Sequence, residues 1–408
     1  MVSRDLLTGY RISSPTKEEM PEFLRLVEST FGGEPHEEQI ERWSRTHEPD
    51  RMVWVSDGDL KVAAAGAFSF QLTIPGGELP AAGVTAVGVL PSHRRRGILT
   101  QMMREQIDDI RGREEPLAIL WASEASIYGR FGYGLATKAA KISMERDRAA
   151  FRDRSEAVGA TRLVTLEQAA DLVPDVFDQV RGETPGMYAR SREWWETGML
   201  ADPEHSRRGG GPLFCAVFEL DDEPEAYALY RIKGNWDEGF PNSTLVIREV
   251  MATSPIALRE IWRFLFGVDL IARIEVWGVP PDYPLFLMLT EPRRLRMTIG
   301  DALWLRLVDL EAALDARSFA DGDPVVLEVR DSFCDWNDGV WRVPDGQRTD
   351  EQPDLRLDTA ELGSAYLGGI SFAELARAGL VEELREGGLE RADALFRTAV
   401  TPWCPEVF

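Results

Sequence analysis

Residues 84–107 read VTAVGVLPSHRRRGILTQMMREQI, and no other stretch of the chain so narrows the folds open to it. The apolar run at 82–90 has the length of a strand buried inside a sheet, and Pro91 and Ser92 stop it. From Gly97 the period changes, and Leu99, Met102, Met103, Ile107 and Ile110 fall on one face of a helix. A buried strand entering a helix through a short turn specifies a layer of helix on sheet. The turn itself carries Arg94, Arg95 and Arg96 ahead of Gly97. The first N–H groups of a helix have no partner within it, and with the positive end of the helix dipole they attract anions. Glycine lets a ligand approach the backbone closely, and arginine offers a flat fork of donors for phosphate oxygens. The turn therefore predicts a pyrophosphate seat over residues 95–100.

The same texture extends on both sides. TKEEMPEFLRLVESTF reads as an amphipathic helix through Phe23, Leu24, Val27 and Phe31. RMVWVSD and LKVAAAGAFSFQLTIPGG read as strands joined near Asp57-Gly58, and LAILWAS as another buried strand. STLVIREVMATSPIALREIWRFLFG repeats strand, turn and helix, but its turn has neither an arginine cluster nor a glycine. A second copy of the first design is thus expected, without the anion seat. After residue 297 the pattern changes again. DPVVLEVRD and DGVWRVPDG read as antiparallel strands joined through Asn337-Asp338-Gly339, and short helices follow. The expected fold class is α+β, with domains at 1–148, 149–296 and 297–408 and no low-complexity linker between them.

Composition sets the functional limits. The 408 residues carry a formal net charge of -23, a field that repels nucleic-acid phosphates and concentrates cations in any cleft. No apolar run reaches the ~20 residues of a membrane span, and the N-terminus lacks the apolar core of a signal peptide. Cys215, Cys334 and Cys404, like the four histidines, are scattered without metal-ligand spacing. A cytoplasmic protein without a structural metal is expected.

Arg94-Arg95-Arg96-Gly97-Ile98-Leu99 resembles the acetyl-coenzyme A turn of the GNAT N-acetyltransferases, except that Leu99 stands where the pattern has a small residue. With WASEASIYGRFGYGLAT, the three-part layout and a terminal phenylalanine, the whole chain resembles the Eis (enhanced intracellular survival) family. That resemblance implies two GNAT-type domains, the second without a cofactor site, followed by a sterol-carrier-like domain. It also implies a hexamer and an amine substrate. Val87, Gly88 and Val89 would pair with the pantetheine arm. Arg95, Arg96, Gly97, Ile98, Leu99 and Thr100 would hold the pyrophosphate, with Ser123 and Glu124 nearby on the cofactor side.

Amine acetylation needs a neutral nitrogen, a polarised thioester carbonyl and a proton for the departing thiolate. A main-chain N–H of Val87 or Val89 suits the carbonyl oxygen. The resemblance places the general acid at Tyr128; by sequence alone Tyr133 competes with it. It places the general base at the terminal carboxylate of Phe408, with the Phe408 ring and Val407 anchoring the tail. Phe31, Glu34, Trp43, Phe70 and Glu406 are expected walls of an acidic, aromatic pocket for a cationic small molecule such as an aminoglycoside or polyamine. Two other readings remain open: acetylation of protein lysines, and a lipid or sterol carrier retaining an inactive acetyltransferase half.

Overall fold

The computed structural model describes residues 9–408, so the reading of the N-terminus lies, for residues 1–8, outside the described residues. The chain forms two compact units. The first comprises the chain up to Ala136, Leu303–Thr398 and Val407–Phe408; the second comprises Thr137–Ala302 and Ala399–Glu406.

The first unit holds a sheet of seven strands. Its strands are β1 (Tyr10–Ser13), β2 (Met52–Asp57), β3 (Leu60–Ile74), β4 (Gly77–Val89), β5 (Leu117–Trp121) and β6 (Gly134–Leu135), with Leu303–Leu307 between β5 and β6. β1 to β4 run as an antiparallel meander, whereas β4 and β5 are parallel. A parallel pair needs a crossover, and helix α3 (Ile98–Gly112) supplies it, burying Met102, Met103, Ile107 and Ile110 against the sheet. Helices α1 (Met20–Thr30) and α2 (Glu37–Thr46) cover the other face, where Phe23, Leu24 and Val27 meet Met52 and Trp54.

Leu303–Leu307 pairs antiparallel with β5, over Leu303↔Trp121 to Leu307↔Leu117. Lys138–Glu145, which follows β6 directly, instead pairs antiparallel with Ile271–Val279 in the sheet of the second unit. Each sheet is thus completed by a strand from the other side of the chain's crossing points. The two compact units divide at Ala136/Thr137 and Ala302/Leu303 for this reason. An apolar strand announces its own burial, but not the sheet that buries it.

Residues 310–398 add a five-stranded sheet and four helices to the first unit. Val325–Arg330 and Gly339–Val343 are antiparallel, as their pattern predicts. Their connection is longer than the tight turn expected at Asn337-Asp338-Gly339. Asn337 is buried in it, donating to the Leu307 and Val308 carbonyls at 3.0 and 3.3 Å. The buried Arg306–Asp331 ion pair and the Phe131–Phe333 ring contact at 5.2 Å bind this region to the first sheet.

Because β5 takes its outer neighbour from Leu303–Leu307, residues 1–148 lack the strand that covers that edge. Expressed alone, this fragment should give no cooperative thermal transition in circular dichroism. A transition as sharp as that of the full chain would contradict the exchange.

Candidate active site

β4 keeps one neighbour along its whole length and loses the other. Towards β3 the register runs Ala64↔Gly88 and then Gly66↔Thr85, so Ala86 and Val87 together oppose Ala65. This is a β-bulge, and Ala86 lies in the left-handed region at φ 56°. Towards β5 the pairing covers only Ala81↔Leu117, Ala82↔Ala118 and Gly83↔Ile119. Beyond Gly83 the two parallel strands part.

Leu90 N–H donates to the Val62 carbonyl at 2.8 Å. Strand alternation then turns the main-chain N–H groups of Val89 and Val87 away from β3, into the opening. The Val89 carbonyl accepts from Arg94 Nε at 3.1 Å. Gly88 is required here, since a Cβ would collide with Thr30 of α1.

The basic turn lies at the end of this opening. Arg95 and Gly97 both take left-handed backbone, at φ 63° and 84°. α3 then starts with no side-chain cap and no acidic residue in its first turn, so its leading N–H groups keep their affinity for an anion. Arg94 is turned back onto β4, and Arg96 donates to the Tyr10 hydroxyl at 3.1 Å and the Ser92 carbonyl at 2.9 Å. Arg95 and Thr100 are exposed, while Ile98 is buried. Leu99 is half-buried in the core beside Val87, so its bulk turns inward where the resembled pattern has a small residue.

Past β5, Ser123 and Glu124 are exposed, and a single turn at Ala125–Ile127 leads to Tyr128. The glycines of this segment answer to packing. A Cβ at Gly132 would strike Arg306, and one at Gly134 would strike the Ala360 carbonyl. The Tyr128 ring meets that of Tyr133 edge-on at 6.0 Å. Tyr128 is 5% exposed and Tyr133 0%. Burial, helped by the Glu124 charge, pushes the Tyr128 phenol up to about 12. Burial drives Tyr133 higher still, and among the described residues its hydroxyl has no hydrogen-bond partner.

On the α1–α2 face of the same sheet, five rings follow one another. Phe408 packs edge-on against Phe70 at 5.0 Å, Phe70 lies 5.6 Å from Phe68, Phe68 4.8 Å from His47, and His47 6.3 Å from Trp43. A Cβ at Gly83 would collide with Phe70 and press on the Phe408 ring, so the glycine makes room for both. The structure therefore brings Trp43, Phe70 and Phe408 together. Val407 is largely exposed and does not share in the anchoring expected of it. Phe31 and Glu34 lie exposed on the connection between α1 and α2.

Sequence reasoning missed Phe68 and His47 in this run. The alternation of Phe68 with Phe70 and the spacing of Trp43 to His47 were the available signals. His47 Nδ1 lies 2.7 Å from the Trp43 carbonyl, which can only accept, so Nδ1 carries the proton and Nε2 a lone pair. Burial pulls this imidazole down to about 4 despite that hydrogen bond, which keeps the ring neutral at ordinary pH.

Glu406 belongs to the second unit, where its carboxylate is paired. It accepts from Arg190 Nε at 2.9 Å and from Trp194 Nε1 at 3.1 Å. Arg190 is in turn clamped bidentate by Glu249, at 2.9 and 2.6 Å. Among the described residues no cluster of His, Cys, Asp and Glu could hold a metal ion, and no helix is long and apolar enough to cross a membrane.

Comparison with known proteins agrees with this geometry. Residues 11–136 and 186–307 each match an acetyltransferase (GNAT) domain, and residues 310–405 match a sterol carrier protein domain. An uncharacterized N-acetyltransferase of Streptomyces avermitilis is 43% identical over 388 residues, covering 93% of this chain and 94% of its own. The N-acetyltransferase Eis of Mycobacterium tuberculosis is 32% identical over 406 residues, covering 95% and 97%. The crystal structure of Eis1 from Mycobacterium abscessus superposes with a TM-score of 0.86 at 34% identity, covering 98% of this chain and all of that one. A parted strand pair with a basic turn, tandem GNAT domains and these whole-length relatives lead to one conclusion: the chain belongs to the Eis family of acetyl-coenzyme A-dependent GNAT N-acetyltransferases.

Proposed function

We propose that the enzyme acetylates primary amines of cationic small molecules, such as aminoglycosides or polyamines, by direct attack on the thioester of acetyl-coenzyme A. The opening between β4 and β5 carries this reading. It joins a strip of unpaired main-chain groups to an uncapped helix start at the distance of one turn. The cofactor's pyrophosphate takes the N–H groups of residues 97–100 with Arg95 and Arg96 beside it. Its pantetheine arm runs along Val87, Gly88 and Val89, between the turn and the exposed Ser123 and Glu124.

The thioester carbonyl then lies near the Val89 or Val87 N–H, which stabilises the oxygen as negative charge grows on it. Tyr128 delivers the proton to the leaving thiolate. A phenol near 12 is a weak acid towards a thiol of ordinary pKa ~8.5, but the burial that disfavours phenolate also disfavours the thiolate. The two affinities are thereby drawn together. The complete burial of Tyr133 favours Tyr128 over it for this role.

The terminal carboxylate of Phe408 removes the proton from the amine, directly or through a water. Its ring is fixed on Phe70, so the carboxylate has a defined place rather than the usual fraying of a terminus. The ring run from Trp43 to Phe408 offers faces to a cationic edge, with Phe31 and Glu34 at its exposed margin. A homohexamer acting in the cytoplasm completes the reading and rests on family resemblance.

Thiol release measured across aminoglycosides, polyamines and lysine peptides tests the substrate class. Turnover of small amines is expected, and turnover confined to peptides would overturn it. Tyr128→Phe should lower kcat by about 10²–10⁴-fold while acetyl-coenzyme A affinity stays within about twofold. Because its raised pKa keeps Tyr128 protonated below about 12, kcat should show no falling limb up to about pH 10. A fully active Phe variant would exclude the tyrosine. Adding four glycines after Phe408 moves the carboxylate away and should reduce kcat at least tenfold, with the thermal midpoint unchanged; undiminished turnover would dismiss the tail.

A further inference from the structure

The chain carries 69 acidic against 46 basic residues, yet one cavity of the second unit has the opposite character. It encloses about 790 Å³ and is lined by Arg207, Arg208, Arg231, Lys233 and Arg248, with Glu275 as the only carboxylate among its lining residues. Asp202 lies behind it and pairs with Arg207 and Arg231. That still leaves three positive charges in excess. Arg248 is held by neutral groups, donating to the Gly198 and Ala201 carbonyls at 3.0 and 3.3 Å. Arg208 and Lys233 are exposed.

The sheet places these side chains together. Arg231 and Lys233 alternate along Glu223–Lys233 and stand opposite Val246 and Thr244 in register. Arg248 is the extra residue of the bulge, since Leu229 pairs with Glu249 and Tyr230 with Ile247. All project on the face that helix Leu166–Glu183 covers further along, over Tyr227, Leu229 and Met251. In the first unit the corresponding face, past the bulge of β4, carries Phe68 and Phe70 and receives Phe408. The two units therefore offer the same face with unlike chemistry, aromatic in one and cationic in the other.

Cations gathered around one cavity repel one another, and a bound anion removes that cost. The volume falls within the ~300–1,000 Å³ of small-molecule sites. Arginine forks match phosphate oxygens bidentately. A long polyanion would meet the net charge of -23 over the rest of the surface, so the arrangement favours a small ligand over nucleic acid. We propose that this cavity of the second unit binds a small phosphate-bearing molecule, independently of the acetyl-coenzyme A seat in the first.

Calorimetric titration of the full chain with inorganic pyrophosphate, with coenzyme A in excess to fill the first seat, is the test. One binding event is expected. Arg208→Glu combined with Lys233→Glu should weaken it at least tenfold without changing the thermal midpoint or acetyltransferase turnover. Arg208→Gln with Lys233→Gln should fall between the two. Unchanged affinity in the charge-reversed variant, or no heat from the wild type at millimolar pyrophosphate, overturns the proposal. Failure of the first-unit reading would register separately, as an absence of coenzyme A binding in the wild type.

Discussion

The additional residue at Ala86 lets β4 stay paired with β3 while it turns away from β5, and the rest of the first unit is arranged around that divergence. A bulge increases local twist and re-aims the strand. Main-chain groups left without a neighbour inside a protein are costly unless something accepts them. Here they face an opening, in line with a helix whose own first donors are uncapped. The fold thus aligns the part of β4 beyond its pairing with β5 and the uncapped start of α3, an arrangement suited to an amide-bearing arm that ends in a diphosphate. Arg94 stabilises the parting by tying its guanidinium to the Val89 carbonyl.

Local chemistry made much of this legible. The strand at 82–90, the helix after Gly97 and the glycine-rich segment around Tyr128 each carry their signal within a dozen residues. What stayed hidden depends on partners distant in sequence. Lys138–Glu145 and Leu303–Leu307 are ordinary strands by pattern, and nothing in their composition says that they complete sheets across the chain's crossing points. Phe68 was concealed because β3 is apolar on both faces, so alternation could not distinguish core from cleft. Glu406 read as a free carboxylate because Arg190, which neutralises it, lies 216 positions earlier.

The tail carries one carboxylate into a charged network of the second unit. Glu406 is enclosed with Arg190, which also serves Glu249, while the Tyr227 hydroxyl donates to Glu249 at 2.6 Å. Removing one partner of such a buried group typically costs about 3–5 kcal/mol, so the pairing with Arg190 commits this carboxylate to the fold of the second unit. The ring of Phe408 packs on Phe70 and above Gly83.

The second unit repeats the backbone opening without the uncapped helix start. Ser243–Ala252 carries its own bulge at Arg248, and its parallel pairing with Ile271–Val279 ends at Ile247↔Val276, so its last residues are also released from that neighbour. The helix that follows, Pro255–Gly267, is nonetheless closed at its start. Ser254 Oγ accepts from the Ala257 N–H at 3.1 Å and donates to Glu225 at 2.8 Å, and Pro255 removes another donor from the first turn. Those few residues put a cap and a carboxylate where the first unit has Gly97 and arginines. The difference between the two helix starts therefore lies in the chemistry of one turn, on a strand architecture that both units share.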